Sequence, residues 1–231
     1  MAPRTMREKR ATELDLSLEE AELFLAALNL DRELETFQTF DEVKDRKNAK
    51  LARIFHGDLR DHAEDLKRLN RLGAGVFVAL NVTDGKGRTK DSIKKVRALC
   101  LDLDGASIEP VRTCALSPHL IVETSPGHYH AYWLVRNFPL DQFEDTQRSL
   151  AKKFDGDPAI ALLTHVARLP GFDHCKGERF RVRIIHMAER LKSYHADAII
   201  DEFPPEKRAH KAPTSRVILR VEAPLDSACC L

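Results

Sequence analysis

The sequence predicts an α+β fold in which helices pack on a mixed sheet that contains antiparallel strands. Segments with the alternation of strands and segments with the periodicity of helices follow one another along the 231 residues. Two predicted strands, 119–124 and 129–136, are separated only by Ser125-Pro126-Gly127-His128, which indicates a hairpin. A composition of 43% hydrophobic and 32% charged residues is ordinary for a globular protein. These observations favour α+β over a doubly wound parallel sheet.

The first half of the chain alternates between predicted helices and strands. Ser17 and Glu20 have the spacing of a capping box, so we expect a helix to begin there. Gly73 is a suitable C-cap for the second helix. Helices are predicted over 17–30 and 58–72, strands over 34–40 and 74–82, and a loop over 44–53.

The second half contains the most strongly predicted strand, Val96 to Asp104. It follows the Asp84-Gly85-Lys86-Gly87-Arg88 loop, which we expect to be exposed and mobile because it is rich in glycine and charge. From Pro204 onward, prolines and a basic cluster predict a loosely attached tail. Further elements are predicted as helices over 140–154 and 194–203 and as a strand over 179–186, in addition to the hairpin.

Composition narrows the class of protein and its setting. The five cysteines are scattered without CxxC pairs, which argues against a disulfide framework or a zinc ribbon and favours the cytoplasm. No segment has the roughly 20 apolar residues of a membrane span, and the first ten residues lack the apolar run of a signal peptide. We therefore expect a cytoplasmic protein with no membrane partner.

Charge is distributed unevenly although its sum is only +1. Residues 12–42 contain ten acidic residues and one basic residue, whereas residues 166–192 contain seven basic and three acidic ones. A locally positive region is suited to binding phosphates. An ordinary solvated face is an equal alternative on this observation alone.

Asp102 and Asp104 end the strongest predicted strand. Their side chains share one face, because side chains alternate along a strand. Two adjacent carboxylates repel each other unless a positive charge lies between them, and a divalent metal ion that also binds substrate phosphates is a common solution. The alternative is a strand that simply ends in Asp-Gly because a turn begins there.

Two further clusters could bind phosphate. In Ser125-Pro126-Gly127-His128-Tyr129-His130, a glycine allows close approach of a ligand beside a hydroxyl and two imidazoles. In the segment 168–176, Arg168 and Lys176 flank the Pro170-Gly171 turn and could present two cations to a triphosphate. Taken by itself, the histidine pair is better explained by a tight hairpin with one exposed histidine and one bonded to the backbone. The alternative for segment 168–176 is a surface turn with incidental charge.

The order and spacing of these clusters resemble the RepB-like DNA primases of the archaeo-eukaryotic primase superfamily, found on plasmids, phages and mobile elements. The resemblance runs from about residue 36 to 186. It implies a primase-type catalytic core. We therefore expect an N-terminal helical extension over 1–33, a catalytic domain over 34–203 and a basic tail over 204–231.

The resemblance also implies a site and a reaction. Asp102 and Asp104 match the metal-binding aspartates, Ser125 and His130 match residues that bind the nucleotide phosphates, and His130 is also counted as catalytic. Arg168 and Lys176 correspond to basic residues near the nucleotide. The implied activity is primer synthesis from nucleoside triphosphates on a single-stranded DNA template, with Mg²⁺ or Mn²⁺ as cofactor and a replicative helicase as a further partner.

One departure from the family pattern concerns a third aspartate and a following arginine, which correspond here to Leu162 and His165. Loss of a third carboxylate would weaken metal binding and slow nucleotidyl transfer. Asp157 lies five residues earlier and is a candidate substitute. The departure leaves open a primase-fold DNA-binding or replication protein with weakened catalysis.

Two other enzyme classes share part of the pattern. Leu101-Asp102-Leu103-Asp104-Gly105 also resembles the nucleophile motif of haloacid-dehalogenase-like phosphatases, with Thr124 or Ser125 as the second motif and Lys152 or Lys153 as the third. Against this, about a hundred residues precede the motif, and Ala161 stands where that family's closing aspartate is expected. His128-Tyr129-His130 resembles the metal motif of single-strand nicking enzymes, with Tyr194 as the nucleophile. That interpretation gives Asp102 and Asp104 no role.

Overall fold

The structure, a computed structural model, describes residues 18–205. The helices are α1 (18–28), α2 (Leu59–Arg71), α3 (Glu109–Arg112), α4 (Leu140–Lys153) and α5 (Ala196–Glu202). The strands are β1 (Thr36–Asp41), β2 (Arg53–His56), β3 (Ala74–Ala79), β4 (Val82–Thr83), β5 (Ile93–Lys95), β6 (Ala98–Asp104), β7 (Leu120–Ser125), β8 (His128–Arg136), β9 (Val166–Arg168), β10 (Asp173–His174), β11 (Phe180–Arg181), β12 (Arg183–Met187) and β13 (Tyr194–His195). The α+β class expected from the sequence is confirmed.

Two sheets form the framework. The first has the strand order β2-β1-β3-β9, and all its neighbours are antiparallel. The second has antiparallel pairs β12-β7, β7-β8 and β8-β6, while β13 adds a short parallel pair at the end of β8. The predicted hairpin is therefore present as β7-β8, and its second strand is central to the sheet.

Strand β6 is the edge of the second sheet, and side-chain and backbone groups pair with its free edge at Cys100 and Asp102. The Gln147 side chain on α4 accepts a hydrogen bond from the Cys100 N–H at 3.2 Å and donates one to the Cys100 carbonyl oxygen. The Asp157 N–H donates to the Asp102 carbonyl oxygen at 2.9 Å. Gly156 permits this approach, since a Cβ there would lie 2.5 Å from Leu101 Cδ1. These contacts protect the edge and fix the strand that carries the aspartates.

A buried ion pair couples the two sheets. Arg97 stands just before β6, and its guanidinium donates to both carboxylate oxygens of Glu35 at 2.9 and 3.0 Å. It also donates to the carbonyl oxygens of Ala79 and Leu80, at the end of β3. The start of β6 is thereby tied to the first sheet, and this tie sets how the two sheets meet.

The helices cover both faces of the second sheet. Trp133 on β8 stacks on Phe154, just after α4, at a ring distance of 6.3 Å, and meets Phe203 edge-on. On the other face, Phe24 of α1 packs edge-on against Tyr132 at 5.2 Å. Helix α1 therefore contributes to the same core as the rest of the chain. The predicted division at residue 33 stays a prediction, and the tail beyond residue 205 lies outside the described residues.

Several local details differ from the predictions. The helix expected over about 194–203 is present as α5 but begins at Ala196, because Tyr194–His195 pairs with the end of β8, and the His195 side chain accepts from the Asp197 N–H at 3.4 Å. The strand expected over 179–186 is divided between β11, which pairs with β10, and β12, which pairs with β7. The Asp84–Arg88 loop, expected to be exposed, is half-buried except for Lys86.

Among residues 18–205 no helix is long and apolar enough to cross a bilayer.

Candidate active site

Four chemically active side chains meet where β6 ends and β8 begins. The antiparallel register places Asp102 opposite His130 and Asp104 opposite His128. Because opposite residues in an antiparallel pair point to the same face, the two carboxylates and two imidazoles form one cluster. The sequence predicted the shared face of the aspartates, and the register brings the histidines to it.

Asp102 is the inner carboxylate of the cluster. Its Oδ1 lies 3.4 Å from Nε2 of His130, and Nδ1 of that ring lies 3.1 Å from the hydroxyl of fully buried Tyr132. Burial disfavours the charged form of Asp102. The hydrogen bond from His130 and the charges of His130, His165 and His128 outweigh this effect, so the pKa of the carboxyl is lowered. Asp102 is consequently held ionised, as a metal or cation ligand requires.

Asp104 is the outer carboxylate, with 77% of its side chain exposed. Its Oδ1 lies 2.7 Å from Nε2 of His128, and Nδ1 of His128 lies 2.9 Å from the Ser125 hydroxyl. Pro126 and Gly127 form the turn between them, and Gly127 has a φ of +77°, as the third residue of a type II turn requires. The turn thus places Ser125 beside the Asp104–His128 pair.

The donor set suits a hard divalent cation that also binds substrate phosphates. Mg²⁺ is usually held by one or two carboxylates and completed by phosphates and water, and Asp102 and Asp104 supply two carboxylates on one face. Within residues 18–205 no group of three His, Cys, Asp or Glu side chains has the geometry of a metal site. Leu162 is 51% exposed and brings no oxygen ligand. The Asp157 carboxylate is engaged in accepting from the Ala159 N–H at 2.8 Å.

Arg168 ends β9 and is not a free cation. Its guanidinium forms a buried bidentate pair with Glu42, at 2.5 and 3.2 Å, and stacks 4.8 Å from the centre of the Phe77 ring. Gly75 makes room for the Glu42 carboxylate, since a Cβ there would lie 2.5 Å from its Cδ. A ligand that contacts Arg168 must therefore share it with Glu42. Lys176, beyond the turn, is exposed.

Other residues near the site were not assigned a role from the sequence. His165, noted there only as a departure from the family pattern, has a buried Nε2 with no hydrogen-bond partner among residues 18–205, and burial, the charge of His130 and that of Arg88 lower its pKa to about 4 against the pull of Asp102. His174 likewise has a buried, unpartnered Nε2, and Arg168 is among its charged neighbours. Only Tyr132 could have been inferred, because it lies two residues after His130 and so faces the same side of a strand.

The other enzyme classes find little support in this geometry. Tyr194 pairs with Val135, seven residues along β8 from His128 and thus about 23 Å away at the usual strand rise. Its hydroxyl donates to the Ser117 carbonyl oxygen at 3.0 Å. Lys153, one candidate for the third phosphatase motif, forms an ion pair with Glu202. Neither Tyr194 nor Lys153 joins the aspartate cluster.

Solved structures share this fold. The AEP domain of the cyanophage S-2L primase-polymerase superposes with a TM-score of 0.65 at 17% identity, covering 81% of this chain and 98% of that one. The catalytic domain of primase RepB′, solved in complex with initiator DNA, has a TM-score of 0.61 at 21% identity, covering 80% of this chain and 92% of that one. At these identities the likeness establishes the primase-type fold.

Sequence comparison identifies the family. Mobilization protein A of Escherichia coli is 30% identical over 112 residues, which are 48% of this chain and only 14% of that much longer relative. Residues 44–210 match the RepB DNA-primase N-terminal domain, well over half of the chain. The clusters at Asp102, Ser125 and Arg168 all lie inside the matched range. The chain therefore belongs to the RepB DNA-primase N-terminal domain family.

Proposed function

We propose that this protein is a DNA primase-type nucleotidyltransferase that synthesises short primers on single-stranded DNA. The observation that carries the proposal is the cluster in which Asp102 and Asp104 share one face and are flanked by His130 and His128. An ionised, partly buried carboxylate beside an exposed one gives both a fixed and an accessible ligand for metal-bound triphosphate.

Asp102 and Asp104 are the residues that would hold Mg²⁺ or Mn²⁺. When bound, a divalent metal ion neutralises charge on the attacking and leaving oxygens of phosphoryl transfer. The chain itself positions the substrate. Ser125, at the hairpin turn, and His130, through the Nε2 that it shares with Asp102, are the residues that would contact the phosphates.

The basic residues on either side of the Pro170-Gly171 turn, Arg168 and Lys176, are proposed to help bind the nucleotide. Arg168 shares its guanidinium with Glu42, so it offers an oriented but partly neutralised charge. Lys176 is exposed and can follow a ligand. We propose replication of a plasmid, phage or mobile element in the cytoplasm as the setting, with a replicative helicase as partner.

The test is primer synthesis on single-stranded DNA with nucleoside triphosphates and Mg²⁺ or Mn²⁺. Asp102→Asn and Asp104→Asn each remove a ligand charge at nearly constant volume, and we expect product to disappear. Asp155→Asn is the matched control, because Asp155 is exposed and has a φ of 55°, which asparagine tolerates. Wild-type rates in the Asp102/Asp104 double variant would contradict the proposal.

A primase-fold protein that binds DNA without synthesis is the second candidate. The specific observation in its favour is the exposed Leu162, in a site without a third carboxylate among the described residues. In the same experiment, wild-type protein that binds single-stranded DNA but makes no product under any metal condition would favour this candidate.

A further inference from the structure

An arginine not included in the proposed site lies beside His165, which is itself a neighbour of Asp102. Arg88 ends the Asp84–Arg88 loop and is half-buried. Its Nη1 donates to the carbonyl oxygen of Thr164, the residue before His165. Its Nε is buried and has no hydrogen-bond partner among residues 18–205. One Arg88 nitrogen is thus anchored on the protein while another has lost water without replacing it.

No carboxylate within residues 18–205 compensates the charge of Arg88. Burial lowers the pKa of Arg88, and no acidic group offsets this effect. The fully buried guanidiniums near the sheets are neutralised, since Arg97 is paired with Glu35 and Arg168 with Glu42. Arg88 is only half-buried, but a partly desolvated cation without a counter-charge still costs free energy. Such a group is expected where an anionic ligand supplies the missing charge.

A second unpartnered group lies at the same place. Within the part of the chain that the structure describes, His165 has a buried Nε2 without a partner, and its charged neighbours are His130, Asp102 and Arg88. Arg88 and His165 therefore stand at the Asp102 end of the cluster, whereas Ser125 stands at the Asp104 end. Phosphates bound along the cluster would have donors at both ends.

The loop holds Arg88 in a defined position. The Asp84 side chain accepts from the Lys86 N–H at 2.9 Å, and the Asp84 N–H donates to the Ser92 carbonyl oxygen at 2.8 Å. Gly85 has a φ of +70°, and a Cβ there would lie 2.6 Å from Leu34 Cδ2. A preorganised loop loses little entropy when a ligand binds.

We propose that Arg88, together with His165, binds the phosphate chain of the nucleotide at the Asp102 end of the site. The inference rests on the proposed function and adds a phosphate-binding residue that the three clusters do not contain. A guanidinium binds phosphate through its charge and its N–H donors. Nε of Arg88 is enclosed and Nη1 is held by Thr164, so Nη2 is the nitrogen that would meet the ligand.

The experiment measures binding directly, by titrating the full chain calorimetrically with inorganic triphosphate and with ATP in the presence of Mg²⁺. We expect Arg88→Gln to weaken the binding of triphosphate and of ATP roughly 10- to 100-fold, the range for a hydrogen bond to a charged group. Arg88→Lys should fall between, because it keeps the charge and loses the fork. Lys86→Gln removes the same charge from an exposed position of the same loop and should change affinity less than about threefold.

Further readouts separate binding from structure. Thermal unfolding without ligand tests whether the Arg88 variants fold, and Arg88→Gln should raise the KM for the nucleotide more than it lowers kcat. Equal affinities for triphosphate in Arg88→Gln and Lys86→Gln would overturn the inference, as would wild-type protein that binds neither probe. Arg88-dependent triphosphate binding without any primer synthesis would leave the inference standing and contradict the proposed function alone.

Discussion

Asp102 and His130 face each other across β6 and β8, with 3.4 Å between Oδ1 of the carboxylate and Nε2 of the ring. The other ring nitrogen lies 3.1 Å from the hydroxyl of Tyr132, which is fully buried. A buried tyrosine thus fixes the orientation of the ring that contacts the carboxylate. The contacts of His130 are set from within the core and need no ligand.

Removal of the Tyr132 hydroxyl tests this arrangement. We expect Tyr132→Phe to fold and to lower kcat for primer synthesis roughly tenfold, the lower range for groups that orient ligands of a reactive site. Tyr129→Phe is the control, since Tyr129 is on the opposite face of β8. Steady-state kinetics at saturating nucleotide would make the comparison, and equal kcat values for the two variants would show that the hydroxyl is dispensable.

Metal binding should respond to position 162. Leu162 is exposed and its carbonyl oxygen accepts from the His165 N–H at 3.0 Å, which places it one turn from a neighbour of Asp102. Leu162→Asp adds a carboxylate there, and we expect affinity for Mn²⁺ to rise roughly tenfold, a typical effect of changes around metal ligands. Leu162→Asn adds a polar group of similar size without the charge, so it separates the effect of charge from that of polarity. Calorimetric titration with Mn²⁺ in which both variants match the wild type would contradict the expectation.

Removing one partner of the buried Glu42–Arg168 pair should lower the free energy of unfolding strongly. Glu42→Gln leaves a buried guanidinium without its counter-charge, and we expect a loss of roughly 3–5 kcal/mol in the free energy of unfolding. Glu22→Gln breaks the exposed pair with Arg60 and should cost less than about 1 kcal/mol. Urea unfolding would distinguish them, and similar costs would indicate that the Arg168 charge is satisfied in another way.

Stability should fall in mild acid because of His119. The ring accepts from the Leu134 N–H at 3.1 Å through Nδ1 and lies 2.9 Å from the Lys192 carbonyl oxygen through Nε2, so the fold requires the neutral ring with the proton on Nε2. Burial lowers the pKa of His119 despite the bond to Lys192. The folded state therefore binds the proton less readily than the unfolded state, whose pKa is about 6.5.

This contribution is fully present above the unfolded pKa and is lost as the pH falls through and below it. Urea unfolding at a series of pH values from 7 to 5 should show that the free energy of unfolding of the wild type declines. The decline should be smaller in His119→Gln. His186→Gln, at an exposed position on β12, is the control and should follow the wild type. Parallel pH profiles for wild type and His119→Gln would exclude His119 as the cause.

Much of the framework was predictable because it depends on local chemistry. Alternation and apolar content predicted β6 and the β7-β8 hairpin, and Gly127 with Pro126 identified its turn. The sequence likewise determined that Asp102 and Asp104 share a face, since that follows from the two-residue period of a strand. The resemblance to RepB-like primases rested on these same segments, and the family match confirmed it.

Tertiary structure decided what those residues touch. The register of β6 against β8 placed each aspartate opposite a histidine, and no local pattern specifies register between strands distant in sequence. Arg168 looked like a free cation beside a turn, but Glu42, 126 residues away, neutralises it. Arg88 looked like part of an exposed loop, yet it is half-buried, bonded to Thr164 and a neighbour of His165. Burial and pairing arise from packing between distant segments, so they appear only when the chain is folded.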